Sequence, residues 1–394
     1  MSGDPPTSPI PTSSVIDEVI ELRRHFHRHP EVSFSEHETS KHLAERLREI
    51  GLEIKPCPTE TGVVAVLDTG RPGKTVMLRA DIDALPIHEE SGVKFSSTED
   101  GRMHACGHDA HMGIMVGVAR TLVDRIWDVS GRYLFVFQPA EEIVSGAKAM
   151  ITKGLFNDHH PDSVIGLHVT SFTESGTVIT RPGLMWAGSD AYEIGFAGPG
   201  GHGGMMGRRG NVLSAQAFLL ERLHTIVEGL EQDGVQCHTT VGQISSDGAW
   251  NIVPRGVSIK GSLRTFNDSL REESLGRLRD LLTEVDTEFE VKSTLELVHG
   301  TVPLMNEPNV TRTVLDVARS LIGDKASVLG RPLTVSDDIS EFLTRIPGCY
   351  FMLGVMPEGG PPPAHHSPGF RIDESALEVG VKVLAGTAAR LAAN

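Results

Sequence analysis

Apolar residues fall on one helical stripe over 15–28, where Val15, Ile16, Val19, Ile20, Leu22 and Phe26 recur at the period of an α-helix. His29-Pro30 ends that helix, because the residue before a proline is pushed out of the helical region. A second helix is predicted over 35–50, with Gly51 as its stop. The texture then changes to short apolar runs bounded by Gly, Pro and Asp, at 62–67, 75–80, 132–137 and 163–169, which predict buried strands. Helices at 108–124 and 147–153 alternate with them. Such alternation predicts an α/β domain with a mixed, mostly parallel sheet flanked by helices.

The pattern shifts again near Ala187. Strands are predicted at 192–196, 237–244 and 257–265, with helices at 211–231 and 269–288. This βαββαβ-like run predicts an inserted smaller α+β, ferredoxin-like domain over 186–300. Helix 309–321, strand 348–354 and helix 375–393 then return to the first domain. The expected division is 14–185 with 301–394, an insert at 186–300, and a disordered tail at 1–13 rich in Pro, Ser and Thr.

A chain of 394 residues is long enough for two such cores. Its net charge of −16 argues against a nucleic-acid partner, which needs a basic surface. The start lacks the basic and apolar segments of a signal peptide, and no run of about eighteen apolar residues predicts a membrane span. Four widely spaced cysteines, Cys57, Cys106, Cys237 and Cys349, do not make a disulfide framework. These features predict a cytoplasmic protein.

Cys106 stands apart, because it sits in His104-Ala105-Cys106-Gly107-His108-Asp109-Ala110-His111. Three other segments concentrate carboxylates and imidazoles at predicted strand ends: 79–83 with Asp81 and Asp83, 138–142 with Glu141 and Glu142, and 166–169 with His168. Each has a bland reading alone. A Cys-x-His pair arises by chance, adjacent glutamates are usually solvated, and a strand histidine is usually a satisfied core residue. Together they change the odds, since charges buried without partners are costly. Open α/β sheets bind ligands beyond the carboxyl ends of their strands, so these segments converge on one crevice. Thiolate, imidazole and carboxylate suit zinc, cobalt, nickel or manganese. Glu141 and Glu142 point apart in extended backbone, so one can bind metal while the other serves as a base.

On these residues the chain resembles the aminoacylase/carboxypeptidase metallopeptidase family. It is most similar to the amidohydrolase branch with hippurate hydrolases and plant auxin-conjugate hydrolases. The strings 78–86, 104–111, 137–142, 166–169, Gly200-Gly201-His202-Gly203, Asn251-Ile252-Val253-Pro254 and His366-Ser367-Pro368-Gly369-Phe370 carry the likeness in order along the chain. The resemblance implies two divalent metal ions per subunit, held by Cys106, His108, Glu142, His168 and His366, with Cys106 bridging and His365 as the fallback for His366. It implies Glu141 as general base and Asp83 as an orienting group. His202 would be an oxyanion donor, and Asn251 and Arg264 would bind substrate. The expected substrate is a small-molecule N-acyl amino acid, and the expected assembly a homodimer or homotetramer built through the insert. The alternatives are a dipeptidase or carboxypeptidase, a thiol hydrolase using Cys106, and a binding protein without catalysis. The sequence departs from the family at Met205-Met206 after the Gly-Gly-His, and at Ser336-Asp337-Asp338-Ile339, where Glu-Asp-Phe is usual.

Overall fold

The structure, a computed structural model, describes residues 9–359 and 361–393. The expected disordered tail lies largely outside the described residues, and the first helix begins at Ser13. The chain separates into two compact units. One comprises the described residues through Gly183, Met305–Gly330 and those from Asp338 onward. The other comprises Leu184–Leu304 and Arg331–Asp337.

In the first unit, α1 (Ser13–Arg28) buries Val15, Val19, Leu22 and Phe26 from the predicted stripe. Helix α2 (His37–Ile50) buries Leu43, Leu47 and Ile50 and stops at Gly51. The strands are β1 (Glu53–Lys55), β2 (Val63–Asp68), β3 (Thr75–Asp81), β4 (Arg132–Gln138), β5 (Ser163–Glu174), β6 (Val178–Thr180), β7 (Ala326–Val328) and β8 (Gly348–Met356). They form one sheet of order β1-β2-β4-β3-β5-β8-β6-β7. The centre, β4-β3-β5-β8, is parallel. The pairs β1/β2, β2/β4 and β6/β8 are antiparallel. The central strands are buried on both faces, as a parallel sheet covered by helices requires.

Helix α3 (His108–Asp124) is buried almost all round, and packs against α1, β3 and the closing helix α4 (Leu377–Ala393). Close approach here depends on Gly117. A Cβ at that position would stand 2.4 Å from Val19 Cγ2 and 3.0 Å from Val381 Cγ2. This packing fixes where α3 begins, and therefore where His108 points.

In the second unit, strands His238–Ser246, Gly256–Thr265, Gly188–Ala197 and Lys292–Thr301 lie side by side in that order, all antiparallel. Helices Val212–Arg222 and Asp268–Phe289 share a core with this sheet through Leu219, Leu278, Val285 and Phe289 against Ile194, Phe196, Ile259 and Leu263. The helix expected over 211–231 is shorter than the apolar pattern suggested. It ends at Arg222, passes through a 3-10 turn at Leu223–Ile226, and gives way to a small ribbon at Glu231–Gln232 and Val235–Gln236. The β-branched run Thr225-Ile226-Val227 and then Gly229 remove the helical preference there. Among the described residues, no helix is long and apolar enough to cross a membrane.

Filling the α1–α3 contact tests this packing. Gly117→Val should lower the unfolding free energy by about 1–3 kcal/mol through overpacking, read as a lower denaturant midpoint at unchanged slope. An unchanged midpoint would show that the two helices do not meet this closely.

Candidate metal centre

The chemistry-bearing residues of the first unit sit where its central strands end. Asp81 closes β3 and Asp83 follows it, while β4 runs into Pro139-Ala140-Glu141-Glu142. His168 lies within β5, and His365 and His366 lie in the loop after β8. Cys106 and His108 flank Gly107, whose φ is +91° and whose missing Cβ would stand 2.4 Å from Val169 Cγ2. Only glycine fits both requirements. It lets the chain turn into α3 while thiol and imidazole enter the same space.

The five expected ligands converge. Cys106 Sγ is 3.5 Å from His168 Nε2 and 3.3 Å from His366 Nε2. His366 Nε2 is 3.4 Å from one Glu142 oxygen, and His108 Nε2 is 3.8 Å from the other. Glu141 comes within 3.9 Å of His108 Nε2. Among the compact groups that the donor atoms form are Cys106–His108–His168 and Cys106–Glu142–His366, which share Cys106. Buried His108 Nε2 and Glu142 Oε1 have no hydrogen-bond partner. Leaving such atoms orphaned is costly, and a divalent cation with sulfur, nitrogen and oxygen preferences satisfies both. The residues present fit a metal.

Hydrogen bonds from outside the cluster set these side chains. The carbonyl of Asp83 accepts from His108 Nδ1 at 2.9 Å, which turns Nε2 toward the cluster. The Asp83 carboxylate accepts the backbone N–H groups of Glu141 and Glu142 at 3.1 and 3.0 Å, and the Ser33 hydroxyl at 2.6 Å. Glu36, buried, accepts the Ala140 N–H at 2.9 Å. These bonds hold a loop whose Ala140 and Val144 have φ of +54° and +56°, and His366 has φ of +59°. Non-glycine residues rarely adopt such values, and they gather at functional sites.

Beneath the cluster, Arg79 donates to Asp81 at 2.8 Å, to Gln138 at 2.8 Å and to Asp338 at 3.0 Å. Asp81 accepts from His111 Nδ1 at 2.5 Å, and His111 Nε2 accepts the Val169 N–H at 3.0 Å. Both nitrogens of His111 are thus committed to positioning. His365 is also committed. Its Nε2 accepts the Ser171 N–H at 3.3 Å, which leaves Nδ1 facing Cys106 Sγ at 3.8 Å. The departure at Asp338 proves to be part of this buried network, because its second oxygen accepts the Ala147 N–H at 2.9 Å. Ser33 and Glu36 were not singled out from the sequence; they lie in an ordinary polar stretch with no periodic signal.

The electrostatics favour a cation. Burial pushes the Cys106 thiol well above its ordinary value, and the Glu142 carboxylate adds to the rise. Burial also raises Glu142 to about 7; His108 pulls it back, while Asp83 and Asp81 push it up. Burial opposes ionisation of Asp81, yet the imidazoles of His108 and His111 and the Arg79 guanidinium hold it well below the carboxylate range. Burial pulls His108 down, but Asp81 and Asp83 keep it well above the usual imidazole value. Burial, then His111 and His365, keep His168 neutral and ready to coordinate.

The remaining expected residues lie in the second unit. His202 belongs to a two-residue ribbon paired with Ile252–Val253, and the Asn251 carbonyl accepts the Gly203 N–H at 2.9 Å. His202 and Asn251 are therefore neighbours. Arg264 lies instead on the four-stranded sheet, opposite His238 and Ser189, and donates to the Ser336 hydroxyl. His202 Nδ1 accepts the Gly204 N–H at 3.1 Å, which makes Nε2 the protonated nitrogen.

Comparison with known proteins decides the family. The model of peptidase family M20/M25/M40 matches residues 77–390. The chain belongs to that family. It is 33% identical to N-acetyl-L-cysteine deacetylase of Bacillus subtilis (strain 168), over 94% of this chain and 87% of that one. It is 34% identical to thermostable carboxypeptidase 2 of Saccharolobus solfataricus, over 92% and 93%. Among solved structures it is similar to the YXEP protein of Bacillus subtilis, a dinuclear metal-binding peptidase of the M20 family, with a TM-score of 0.79, 26% identity, and 96% and 98% coverage. The chain is thus a hydrolase of amide bonds on the α/β fold of this family.

Metal uptake should follow the protonation of the cluster. Burial raises Glu142 to about 7 and pushes the Cys106 thiol up, while Asp81 and Asp83 hold His108 above the ordinary imidazole value. Ligands must lose protons to coordinate, so affinity should rise as pH rises from about 6 to about 8. Calorimetry in two buffers of different ionisation enthalpy should show proton release. An affinity flat across that range would contradict the assignment.

Proposed function

We propose that this chain hydrolyses the amide bond of N-acyl amino acids, releasing a carboxylate and a free amino acid. Two divalent ions would be held by Cys106, His108, Glu142, His168 and His366. The observation that carries this reading is the sharing of Cys106 between two compact donor groups, with the Glu141 carboxylate beside them. Thiolate with imidazole and carboxylate suits zinc, manganese, cobalt or nickel. When bound, such ions polarise a carbonyl and acidify water.

The chain's own residues do the rest. The Glu141 carboxylate takes a proton from the attacking water as the carbon–oxygen bond forms and the carbonyl electron pair moves to its oxygen. Glu141 then gives that proton to the leaving nitrogen as the carbon–nitrogen bond breaks. Asp83 keeps Glu141 and Glu142 in place through their backbone N–H groups. His202, with Nε2 protonated, is a donor suited to the developing oxyanion. Asn251 and Arg264 recognise the substrate carboxylate or carbonyl.

The first unit is the catalytic domain in this reading. The second unit is a ferredoxin-like dimerisation and lid domain. Its strand order and its two helices on the connections support that assignment. Its edge strand His238–Ser246 is largely exposed, which suits pairing into a homodimer or homotetramer. Four free cysteines suit a cytoplasmic location. The name of the Bacillus subtilis deacetylase supports an N-acyl amino acid substrate, whereas that of the Saccharolobus solfataricus enzyme favours the carboxypeptidase alternative. The raised Cys106 thiol argues against the thiol-nucleophile alternative, because an activated cysteine has a depressed value.

Glu141→Gln should cut kcat by about 10²–10⁴-fold while the protein still binds metal with the wild-type stoichiometry. Near-normal turnover would remove Glu141 as the base. A panel of acetyl- and benzoyl-amino acids against dipeptides separates the deacylase reading from the peptidase one.

A further inference from the structure

Three consecutive backbone N–H groups, those of Ala140, Glu141 and Glu142, donate to buried carboxylates. Asp83 accepts two of them, from Glu141 at 3.1 Å and from Glu142 at 3.0 Å, and Glu36 accepts the first, from Ala140 at 2.9 Å. Successive N–H groups at a turn form a concavity that holds an anion. Here the protein fills it with two of its own acids. Asp83 lies 58 residues before Glu141 in the chain, and Glu36 lies 104 before Ala140.

Ala140 sits where the chain leaves β4 and turns, with φ of +54°. A left-handed conformation is unfavourable for a residue with a side chain, so other bonds must hold it. The Ala140 carbonyl accepts the N–H groups of Ser145 and Gly146 at 3.2 and 3.1 Å. On the N–H side the holder is Glu36, which directly precedes α2 and is fully buried. Its other oxygen accepts the Thr61 hydroxyl at 2.7 Å. The Ser40 hydroxyl donates to the Glu36 carbonyl at 2.5 Å and accepts the Gly62 N–H at 2.7 Å, which ties the Thr61 segment to the start of α2. Gly62, with φ of +98°, lies against the end of β4: a Cβ there would stand 2.8 Å from the Phe137 carbonyl oxygen and 2.9 Å from Pro139 Cδ. A carboxylate buried this deeply is costly unless its oxygens are occupied. Both are, so the aim of Glu36 at Ala140 is set from two sides.

We propose that Glu36 is a positioning residue for the hydrolytic step. By holding Ala140 left-handed it sets where the Glu141 carboxylate and the Glu142 ligand stand. This rests on the reading of Glu141 as the base. Glu36 touches no reacting atom in this account and acts through Ala140.

The test is whether glycine at position 140 can stand in for Glu36, since glycine adopts a positive φ without support. It uses the zinc-saturated enzyme and whichever acyl-amino acid or dipeptide wild type cleaves fastest. Glu36→Ala should lower kcat about 10²-fold, the cost of a misplacement of about an ångström, with KM little changed. Zinc affinity, read by calorimetry without substrate, should fall as well, because Glu142 shares the loop. Combining Glu36→Ala with Ala140→Gly should recover about tenfold of kcat, the equilibrium cost of one left-handed residue with a side chain, and part of the zinc affinity. A general loss of stability would not be repaired in this way, because glycine also loosens the unfolded chain. Glu36→Gln keeps an oxygen for the Ala140 N–H and should stay near wild type. An unchanged kcat in Glu36→Ala, or a loss that Ala140→Gly does not reduce, would overturn the assignment. If Glu36→Ala does not fold, Thr61→Val, which frees one Glu36 oxygen, takes its place in the same pair of variants, with a smaller loss and the same criterion. Near-normal turnover in Glu141→Gln would instead remove the base reading, whatever the Glu36 variants show.

Discussion

The first unit is organised around one constraint, the neutralisation of acids buried at the ends of parallel strands. Asp81, Asp83 and Glu141 are buried, and Glu142 is half-buried, within a few ångströms of His108. Unpaired, such charges are prohibitively costly. The protein meets part of the demand with Arg79, whose guanidinium joins β3 to Gln138, Tyr350 and Asp338. It meets another part with backbone N–H groups aimed at Asp83. His108 Nε2 and Glu142 Oε1, which have no hydrogen-bond partner, mark a part that a bound cation would meet.

The same constraint accounts for the irregular backbone nearby. Aiming Cys106, Glu142 and His366 at one point requires chain turns that regular strands and helices do not supply. Gly107 permits one of them without strain. Ala140, Val144 and His366 adopt left-handed conformations, and each segment is held by hydrogen bonds, among them Glu36 to Ala140 and the His366 N–H to the Ala105 carbonyl at 2.9 Å. Overdetermination of this kind lets local strain persist. A bulge in β5 belongs with these features, since it too departs from regular geometry at the edge of the cluster.

The sequence was legible where a single period ruled. Helix α3 begins at His108 as expected, because Gly107 and the following apolar stripe mark the start together. The central strands are uninterrupted apolar runs and were equally readable. Strands of three residues, such as β6 and β7, are too short to show a period. The helix expected over 211–231 failed because apolar spacing continued past the point where β-branched residues and Gly229 weakened it. In the site, residue type at strand ends pointed to Cys106, His108, Glu141, Glu142 and His168. His366 was reached only through family likeness, since His365 stands beside it and chemistry alone does not choose between them. In the structure His365 Nε2 accepts from Ser171 while its Nδ1 faces Cys106, and His366 Nε2 faces both Cys106 and Glu142. Roles such as that of Ser33 depend on contacts between distant segments, and no local pattern encodes those.

The central claim is that Cys106 joins two metal positions. Anomalous scattering from crystals of the zinc-loaded protein tests it most directly. Two peaks per chain are expected, each about 2.3 Å from Cys106 Sγ, the usual zinc–thiolate distance. A single peak, or two peaks of which neither contacts that sulfur, would contradict it.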